Sequence, residues 1–243
     1  MKSIVKVLLI AAASLFGTAS ASVLSIVVPD ASFESPDVPD ARASVGIPGW
    51  DFTTNAIPGQ VYGGGVHDQT TGSYPGAFGN NSPLPGTANG GQDAFIDITP
   101  NVSPAFGQFT VAGLATVAAG TQYQLTVAVG NRLDASPADI TLALTVNGVA
   151  ASSLLIPAGT VPNGTFTDYS VTFITLAAGD PNIGADLGIS LRLDSPAAPG
   201  AQSQEADFDN IRLSATTLPE PSFTLFLLAG PAIFARRRAA KGV

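Results

Sequence analysis

YQLTVAVGN at residues 123–131 and ITLALTVNG at residues 140–148 decide the fold of this chain. In both stretches apolar and polar side chains alternate, so every second residue falls on one face of an extended strand. The second stretch ends in Asn147-Gly148, a dipeptide that favours a two-residue hairpin turn. Together they predict antiparallel strands that pack one face against a common core.

The same alternation recurs along the second half of the chain, at residues 169–173 and 187–193, with shorter examples at 109–111 and 211–213. No window has the period of an amphipathic helix of useful length. Six or more strands at this spacing favour an all-β, antiparallel β-sandwich of the jelly-roll or Greek-key kind.

The composition limits the classes of function. The 243 residues include 18 acidic and 10 basic side chains, for a net charge of −8, with no cysteine and one histidine. A strongly acidic chain repels the phosphate backbone, so no nucleic acid is expected as a partner. The lack of cysteine excludes disulfides and thiolate metal sites. The surplus of carboxylates instead invites divalent cations.

The first 21 residues have the pattern of a secretory signal peptide. Lys2 and Lys6 give a positive start, and residues 7–16 form an apolar run that is too short to span a bilayer as a helix. Ala19, Ser20 and Ala21 then form the small-x-small pattern of a cleavage site. We therefore expect the protein to be exported and the mature chain to begin directly after this site.

The C-terminus carries a second candidate signal. An uncharged run at residues 222–235 is followed directly by Arg236, Arg237 and Arg238. A helix over the run would reach about 21 Å, and the arginines should stay on the cytoplasmic side of a membrane. The arrangement predicts a C-terminal hydrophobic helix, with the preceding residues outside the cell.

Pro219, Glu220 and Pro221, followed by this run and its arginines, resemble the PEP-CTERM sorting signal of Gram-negative bacteria. The resemblance implies a transient inner-membrane intermediate, processing by an exosortase-type enzyme, and release to the cell surface or the extracellular exopolysaccharide matrix. The expected domains are a signal peptide (1–21), a β-sandwich ectodomain (22–215), a linker (216–221) and a sorting helix (222–243).

The ectodomain resembles galactose-binding-like jelly rolls, a superfamily that includes many carbohydrate-binding modules. Residues 29–34 (PDASFE) and 48–50 (PGW) resemble its opening strand, and residues 206–213 (ADFDNIRL) resemble its closing strand. Residues 120–125 (GTQYQL) resemble a central strand of many PEP-CTERM ectodomains. The resemblance implies a single jelly-roll sandwich between the signal helix and the C-terminal helix.

Acidic residues of the closing strand are candidates for a metal site. By period two, Asp207 and Asp209 should face the core, where an unpaired carboxylate is costly and a hard cation is a suitable partner. The alternative is that Asp209 caps backbone amides or pairs with an arginine, Arg212 or Arg42. Jelly rolls of this type often hold a structural calcium between the opening and closing strands. The resemblance therefore implies Glu34 and Asp209 as ligands, with Asp207 or carbonyl oxygens completing the shell.

A saccharide site needs an aromatic platform beside hydrogen-bonding groups. The glycine-rich stretch at residues 47–92 offers Trp50, Tyr62 and Tyr74 as carbohydrate-binding platforms. We expect loops here, with short strands near residues 57–62 and 93–98. For Trp50 the alternative is a plug at the edge of the core, and for each tyrosine it is packing within a loop.

His67-Asp68 invites a catalytic interpretation, since imidazole can act as a base near neutral pH. No nucleophile motif accompanies the pair, so we interpret His67 as a surface loop residue and expect no enzyme activity. The sequence thus predicts a non-enzymatic protein of the cell surface or exopolysaccharide matrix that binds carbohydrate. The alternatives are a structural or adhesive protein that binds other proteins and, third, a polysaccharide-processing enzyme.

Overall fold

The computed structural model describes residues 21–39, 43–57, 62–77, 82–99, 103–176, 179–196, 198 and 201–219. Within these ranges the chain is built from strands and contains no α-helix. The strands are β1 (Val23–Ile26), β2 (Ala43–Val45), β3 (Asp51–Thr54), β4 (Tyr62–Asp68), β5 (Gln92–Ile98), β6 (Ala105–Thr116), β7 (Thr121–Asn131), β8 (Asp139–Val146), β9 (Val149–Ile156), β10 (Thr165–Ile174), β11 (Asp186–Ser195) and β12 (Gln204–Thr217).

The expected terminal signals lie mostly outside the described residues. Ala21 and Pro219 are described, and both are exposed. The other residues of the two signals lie outside the described ranges, and they include Ala19, Glu220, Pro221, Arg236, Arg237 and Arg238. In the part of the chain that is described, no helix is long and apolar enough to cross a membrane.

The strands pair into two antiparallel sheets, which confirms the predicted all-β sandwich. Sheet A has the order β10-β7-β12-β5-β4-β2, and β1 also pairs with β12. Sheet B has the order β3-β6-β11-β8-β9. The long strand β12 pairs with β7 on one side, and on the other with β5 through its first half and β1 through its second half. All these strands belong to one compact unit, Val23–Thr217.

The core lies between the two sheets and is filled by the alternating residues that the sequence indicated. Leu125 and Val127 of sheet A and Leu142, Leu144 and Ile189 of sheet B are all fully buried in one cluster. Burying each such side chain stabilises the fold by about 1.5–3 kcal/mol. The β8–β9 hairpin turns at Asn147-Gly148, where both residues have positive φ (49° and 77°), as a type I′ turn requires.

The glycine-rich stretch contains more regular structure than predicted. The strand expected near residues 93–98 is confirmed as β5. The strand expected near 57–62 is displaced, because β4 begins at Tyr62 and Ile57 lies outside any strand. His67 and Asp68 belong to β4, which pairs with β2 and β5. The interpretation of His67 as a loop residue is therefore wrong.

A β-bulge in β12 decides where its acidic side chains point. Phe208 faces the core before the bulge, and Ile211 faces it after the bulge. Asn210 has φ 45°, and the register of β12 against β7 shifts at this point. The extra residue reverses the alternation of faces. Neither Asp207 nor Asp209 therefore faces the core. The prediction from period two is wrong because it assumed an unbroken strand.

The segment between β4 and β5 covers the outer face of sheet A. Tyr74, Ala77 and Leu84 of this segment pack with Ala128 of β7 and Phe166 of β10 into a second, smaller core. Polar side chains that point outward from the sheet are consequently buried beneath the segment. This face holds the candidate site.

Candidate functional site

Carboxylates gather on the outer face of sheet A. Glu205 and Asp207 of β12 alternate with core residues, and Asp93 and Asp97 do the same in β5. We call these four side chains the acidic cluster. Phe95 lies between the two acids of β5 and directly opposite Asp207 in the register of the strands. A half-buried aromatic ring thus lies beside buried carboxyl groups.

Asp207 is held by a phenol. Asp207 is only 1% exposed, and the Tyr74 Oη donates a hydrogen bond of 2.5 Å to its Oδ2. Its Oδ1 is buried without a hydrogen-bond partner among the described residues. Burial raises the pKa of Asp207 to about 6, although Arg132 and the Tyr74 hydrogen bond oppose the rise. Burial also raises the pKa of Tyr74 well above its usual value, so the phenol stays a donor.

Arg132 supplies positive charge at the edge of the cluster. Its Nη1 donates to the Oε1 of Glu205 at 2.7 Å, while its Nε and Nη2 bind the two carboxylate oxygens of Asp134 at 2.8 Å each. Burial nevertheless raises the pKa of Glu205 to about 9, with repulsion from Asp207 as the next cause. Desolvation outweighs the ion pair here, so the Glu205–Asp207 pair retains a proton near neutral pH.

His67 and Asp93 complete the site. The Nη1 of Arg132 donates to the Nδ1 of His67 at 3.2 Å, which places the imidazole proton on Nε2. Burial and then the charge of Arg132 lower the pKa of His67 to about 4, so the ring is neutral at pH 7. Asp93 is fully buried, and both its oxygens accept from the Nε2 of Gln69. Burial and the neighbouring Asp207 raise the pKa of Asp93 well above its usual value.

This arrangement suits proton donation. A carboxylic acid whose pKa is raised toward neutrality is a competent general acid at physiological pH. The ring of Phe95 packs edge-on to His67, with 5.8 Å between the ring centroids. An aromatic ring beside the acid can stabilise positive charge that develops on a protonated substrate.

Of the three expected calcium ligands, Glu34 and Asp209 lie near each other, whereas Asp207 does not join them. The Oε1 of Glu34 accepts hydrogen bonds from the backbone N–H groups of Gly91 (3.0 Å) and Gln92 (3.1 Å). Burial raises the pKa of Glu34. Asp207 points to Tyr74 instead. Within the described residues, no three His, Cys, Asp or Glu side chains converge as a metal centre.

Asp209 caps backbone amides, which was the alternative to a metal-binding role. Its two oxygens accept from the backbone N–H groups of Asn89 and Asn210, both at 2.5 Å. Burial raises its pKa to about 8, and the charge of Glu34 adds to this rise. Two carboxylates that disfavour each other's ionisation provide a place where a cation would relieve repulsion.

The three aromatic residues expected to bind carbohydrate do not form a common platform. Trp50 is buried, donates from Nε1 to the carbonyl of Pro29 at 2.9 Å and packs on Phe33, as expected for a plug at the edge of the core. Tyr62 is 49% exposed on β4. Tyr74 is fully buried beneath the covering segment.

A β-sandwich that buries carboxyl groups of raised pKa beneath a covering segment has the groups that acid–base chemistry requires. The family model HpiC1-like, described as HpiC1 cyclase, matches residues 24–214. The chain therefore belongs to the HpiC1-like cyclase family. No curated protein matches it.

Solved structures with the same fold include cyclases from Fischerella sp. TAU. The Stig cyclase Fisc, in complex with (3Z)-3-(1-methyl-2-pyrrolidinylidene)-3H-indole, is 22% identical at a TM-score of 0.63 and covers 82% of this chain and 100% of its own. A cyclase in complex with 4-(1H-indol-3-yl)butan-2-one is 22% identical at a TM-score of 0.60, and the match covers 81% of this chain and 100% of the cyclase. A carbohydrate-binding module, TmCBM61, is 10% identical at a TM-score of 0.45, with 76% and 95% coverage.

Family membership corrects the function predicted from the sequence. The expectation of a non-enzymatic surface or exopolysaccharide-matrix protein is wrong, because the family consists of cyclases, which are enzymes. The comparisons likewise lend no support to a PEP-CTERM protein of a biofilm matrix. Export through the signal at residues 1–21 stays a prediction.

Sequence reasoning missed Asp93, Glu205 and Arg132 as site residues. In residues 93–97 (DAFID) acidic and apolar residues alternate, a signal that could have placed Asp93 on the polar face of a strand. Residues 205–208 (EADF) alternate in the same way, but the assumption of an unbroken strand put their acids on the core-facing side. An exposed polar face would carry no chemistry. Burial of this face depends on the segment from the β4–β5 connection, which has no periodic pattern that predicts its docking site.

Proposed function

We propose that this protein is an acid-catalysed cyclase in which Asp207 is the proton donor. One observation carries the proposal. The Tyr74 hydroxyl donates a hydrogen bond to Oδ2 of the buried Asp207, and Oδ1 accepts none from the described residues. The side chain of Glu205 also hydrogen-bonds Asp207 and can pass its proton to that carboxyl group. Oδ1 is therefore the oxygen that Tyr74 leaves available to a substrate. Membership of a cyclase family supplies the class of reaction.

The reaction that fits this site is a ring-forming isomerisation. The O–H bond at Oδ1 of Asp207 breaks as its proton adds to one carbon of a substrate C=C bond, leaving a cation on the other carbon. A second π-system of the same molecule attacks that carbon, and the new C–C bond closes the ring. Loss of a proton to the Asp207 carboxylate restores the acid, so the reaction needs no oxidant or reductant.

Phe95 and Glu205 define the side from which a substrate approaches. Asp207 itself is enclosed, whereas Phe95 is half-exposed, and the side chain of Glu205 is 10% exposed. A substrate seated on Phe95 reaches Oδ1 when the covering residues 69–77 and 82–91 shift away from the sheet. The ring then lies next to the developing cation, where its π-face stabilises positive charge.

An indole with an alkene side chain is the proposed class of substrate. The Fischerella cyclases that share this fold are complexed with indoles. An indole supplies a π-nucleophile, and the alkene supplies the carbon to be protonated. The test is to incubate the purified protein with such indoles in D2O and analyse the products by mass spectrometry and NMR. A cyclised isomer with one carbon-bound deuterium is expected, and no cyclised product from any member of the series would overturn the proposal.

We also propose that a structural calcium ion binds beside Glu34 and Asp209, with carbonyl oxygens completing its shell. The mutual repulsion of these carboxylates and a buried Asp30 Oδ2 without a partner among the described residues support the proposal. The ion would join the opening segment of the chain to β12 and would take no part in the chemistry.

Calcium is expected to raise the melting temperature by about 5 °C relative to EDTA, since a ligand at 100 times its Kd stabilises by about 2.7 kcal/mol. Asp209→Asn should abolish this increase. Asp207→Asn should retain it, because Asp207 lies beside Tyr74 and not beside Glu34. Equal melting temperatures of the unaltered protein in calcium and in EDTA would show that no such site exists.

A further inference from the structure

Gly130 lies in the middle of the candidate site. On β7 it is directly opposite Asp207 of β12 on one side and Phe166 of β10 on the other. Its φ lies outside the left-handed region in which glycine is favoured. The backbone at this position would therefore accept any residue, and space alone requires a glycine.

The space above Gly130 is filled by Tyr74. A Cβ atom at this position would lie 2.3 Å from the Tyr74 Oη and 2.7 Å from two carbons of the Phe166 ring. Both distances are shorter than real Cβ atoms tolerate. The Tyr74 ring has no room to retreat, because it is fully buried and stacks on Phe166 with 4.8 Å between centroids.

We propose that Gly130 is a positioning residue, whose missing side chain lets the Tyr74 hydroxyl reach Asp207. The inference rests on the proposed function and deepens it, since it explains how the donor is oriented. Tyr74 Oη occupies the volume of a Cβ and binds Oδ2 of Asp207. Oδ1 is then held as the oxygen that faces the substrate.

The consequence is that any side chain at position 130 separates Tyr74 from Asp207. The carboxyl group, released from its phenol, rotates between orientations and presents the proton less often. A displacement of about 1 Å at a catalytic group can cost about 100-fold in rate. Substrate binding on Phe95 does not involve this contact, so the loss should fall on kcat.

The test is Gly130→Ala, with Gly107→Ala as a matched control. Gly107 is a strand residue of β6 without positive φ, and a Cβ there would lie 2.5 Å from Ile96 in the main core, away from Asp207. Two readouts are used: the NMR signal of the hydrogen-bonded Tyr74 hydroxyl proton, assigned by its loss in Tyr74→Phe, and the steady-state kinetics of cyclisation.

Gly130→Ala is expected to lose the hydroxyl signal and to lower kcat by about 10-fold to 100-fold with KM unchanged. Gly107→Ala should keep the signal and kcat, although its new methyl group would also lie too close to a neighbouring side chain. A folded Gly130→Ala protein that keeps both the signal and kcat would overturn the inference.

The double variant Gly130→Ala/Tyr74→Phe keeps the test decisive if the single variant does not fold. It removes the nearest collision of the new methyl group, the one with the Tyr74 oxygen, and leaves only the contact with the Phe166 ring. It should therefore fold more readily than Gly130→Ala and show the kcat of Tyr74→Phe alone. A kcat tenfold below that of Tyr74→Phe would contradict a role through Tyr74. Loss of the hydroxyl signal in Gly130→Ala, together with no turnover by the unaltered protein, would reject the proposed function and leave the positioning role standing.

Discussion

Asp207→Asn is expected to lower the rate of cyclisation by about 10²- to 10⁴-fold, the usual contribution of a general acid. Asparagine has nearly the same size and can still accept the hydrogen bond of Tyr74, but it has no acidic proton to give. The protein should therefore fold with little change in melting temperature. The measurement is the single-turnover rate of cyclisation of an alkene-bearing indole, with deuterium incorporation in D2O as a second readout.

Asp168→Asn is the matched control for this variant. Asp168 belongs to the same sheet but pairs with Arg212 outside the acidic cluster, and it is partly exposed. Its replacement should leave the rate within about twofold. Should Asp207→Asn keep more than a tenth of the rate while Glu205→Gln loses it, the proton donor is Glu205 and the assignment to Asp207 fails.

The free energy of unfolding is expected to fall as the pH rises from 5 to 8. Burial raises the pKa of Glu205 to about 9 and that of Asp93 well above its usual value, so the folded state holds protons that the unfolded chain releases near pH 4. The stabilisation from each group is complete below its unfolded pKa and is lost as the pH rises toward the folded pKa. For Glu205 the loss is about 1.4 kcal/mol per pH unit over this range, and Asp93 adds to it in the same direction. The melting temperature at pH 8 should therefore lie at least about 5 °C below that at pH 5.

Glu205→Gln identifies the source of this pH dependence. Glutamine stays neutral at every pH, so the slope of unfolding free energy against pH should become shallower by about 1.4 kcal/mol per unit. Urea unfolding at several pH values, with EDTA present to remove any effect of calcium, measures the slope. Asp168→Asn should leave it unchanged. A stability that rises between pH 5 and pH 8, or an unaltered slope in Glu205→Gln, would refute this account of the cluster.

Strand β12 has a sequence pattern that predicts its core residues but not the direction of its acids. Period two identified Ile211 and Leu213 as core-facing strand residues, and both are buried in the core. The pattern could not show the bulge at Asn210, because an inserted residue leaves apolar side chains on both sides of it and changes only which face they occupy. This one inserted residue places Asp207 on the outer face of the sheet, where it binds the Tyr74 hydroxyl and not the predicted metal ion.

The sequence by itself determined the antiparallel sandwich, because alternation of apolar residues specifies which strand faces can be buried whatever their partners are. It also determined the hairpin at Asn147-Gly148, since that turn depends on local backbone conformation. Tertiary structure alone decided the chemistry. The acids of β5 and β12 would be ordinary surface residues without the covering residues 69–77 and 82–91. Desolvation by that distant segment raises the pKa of Asp207 to about 6 and that of Glu205 to about 9, so the pair holds a proton at neutral pH. No local pattern encodes this desolvation.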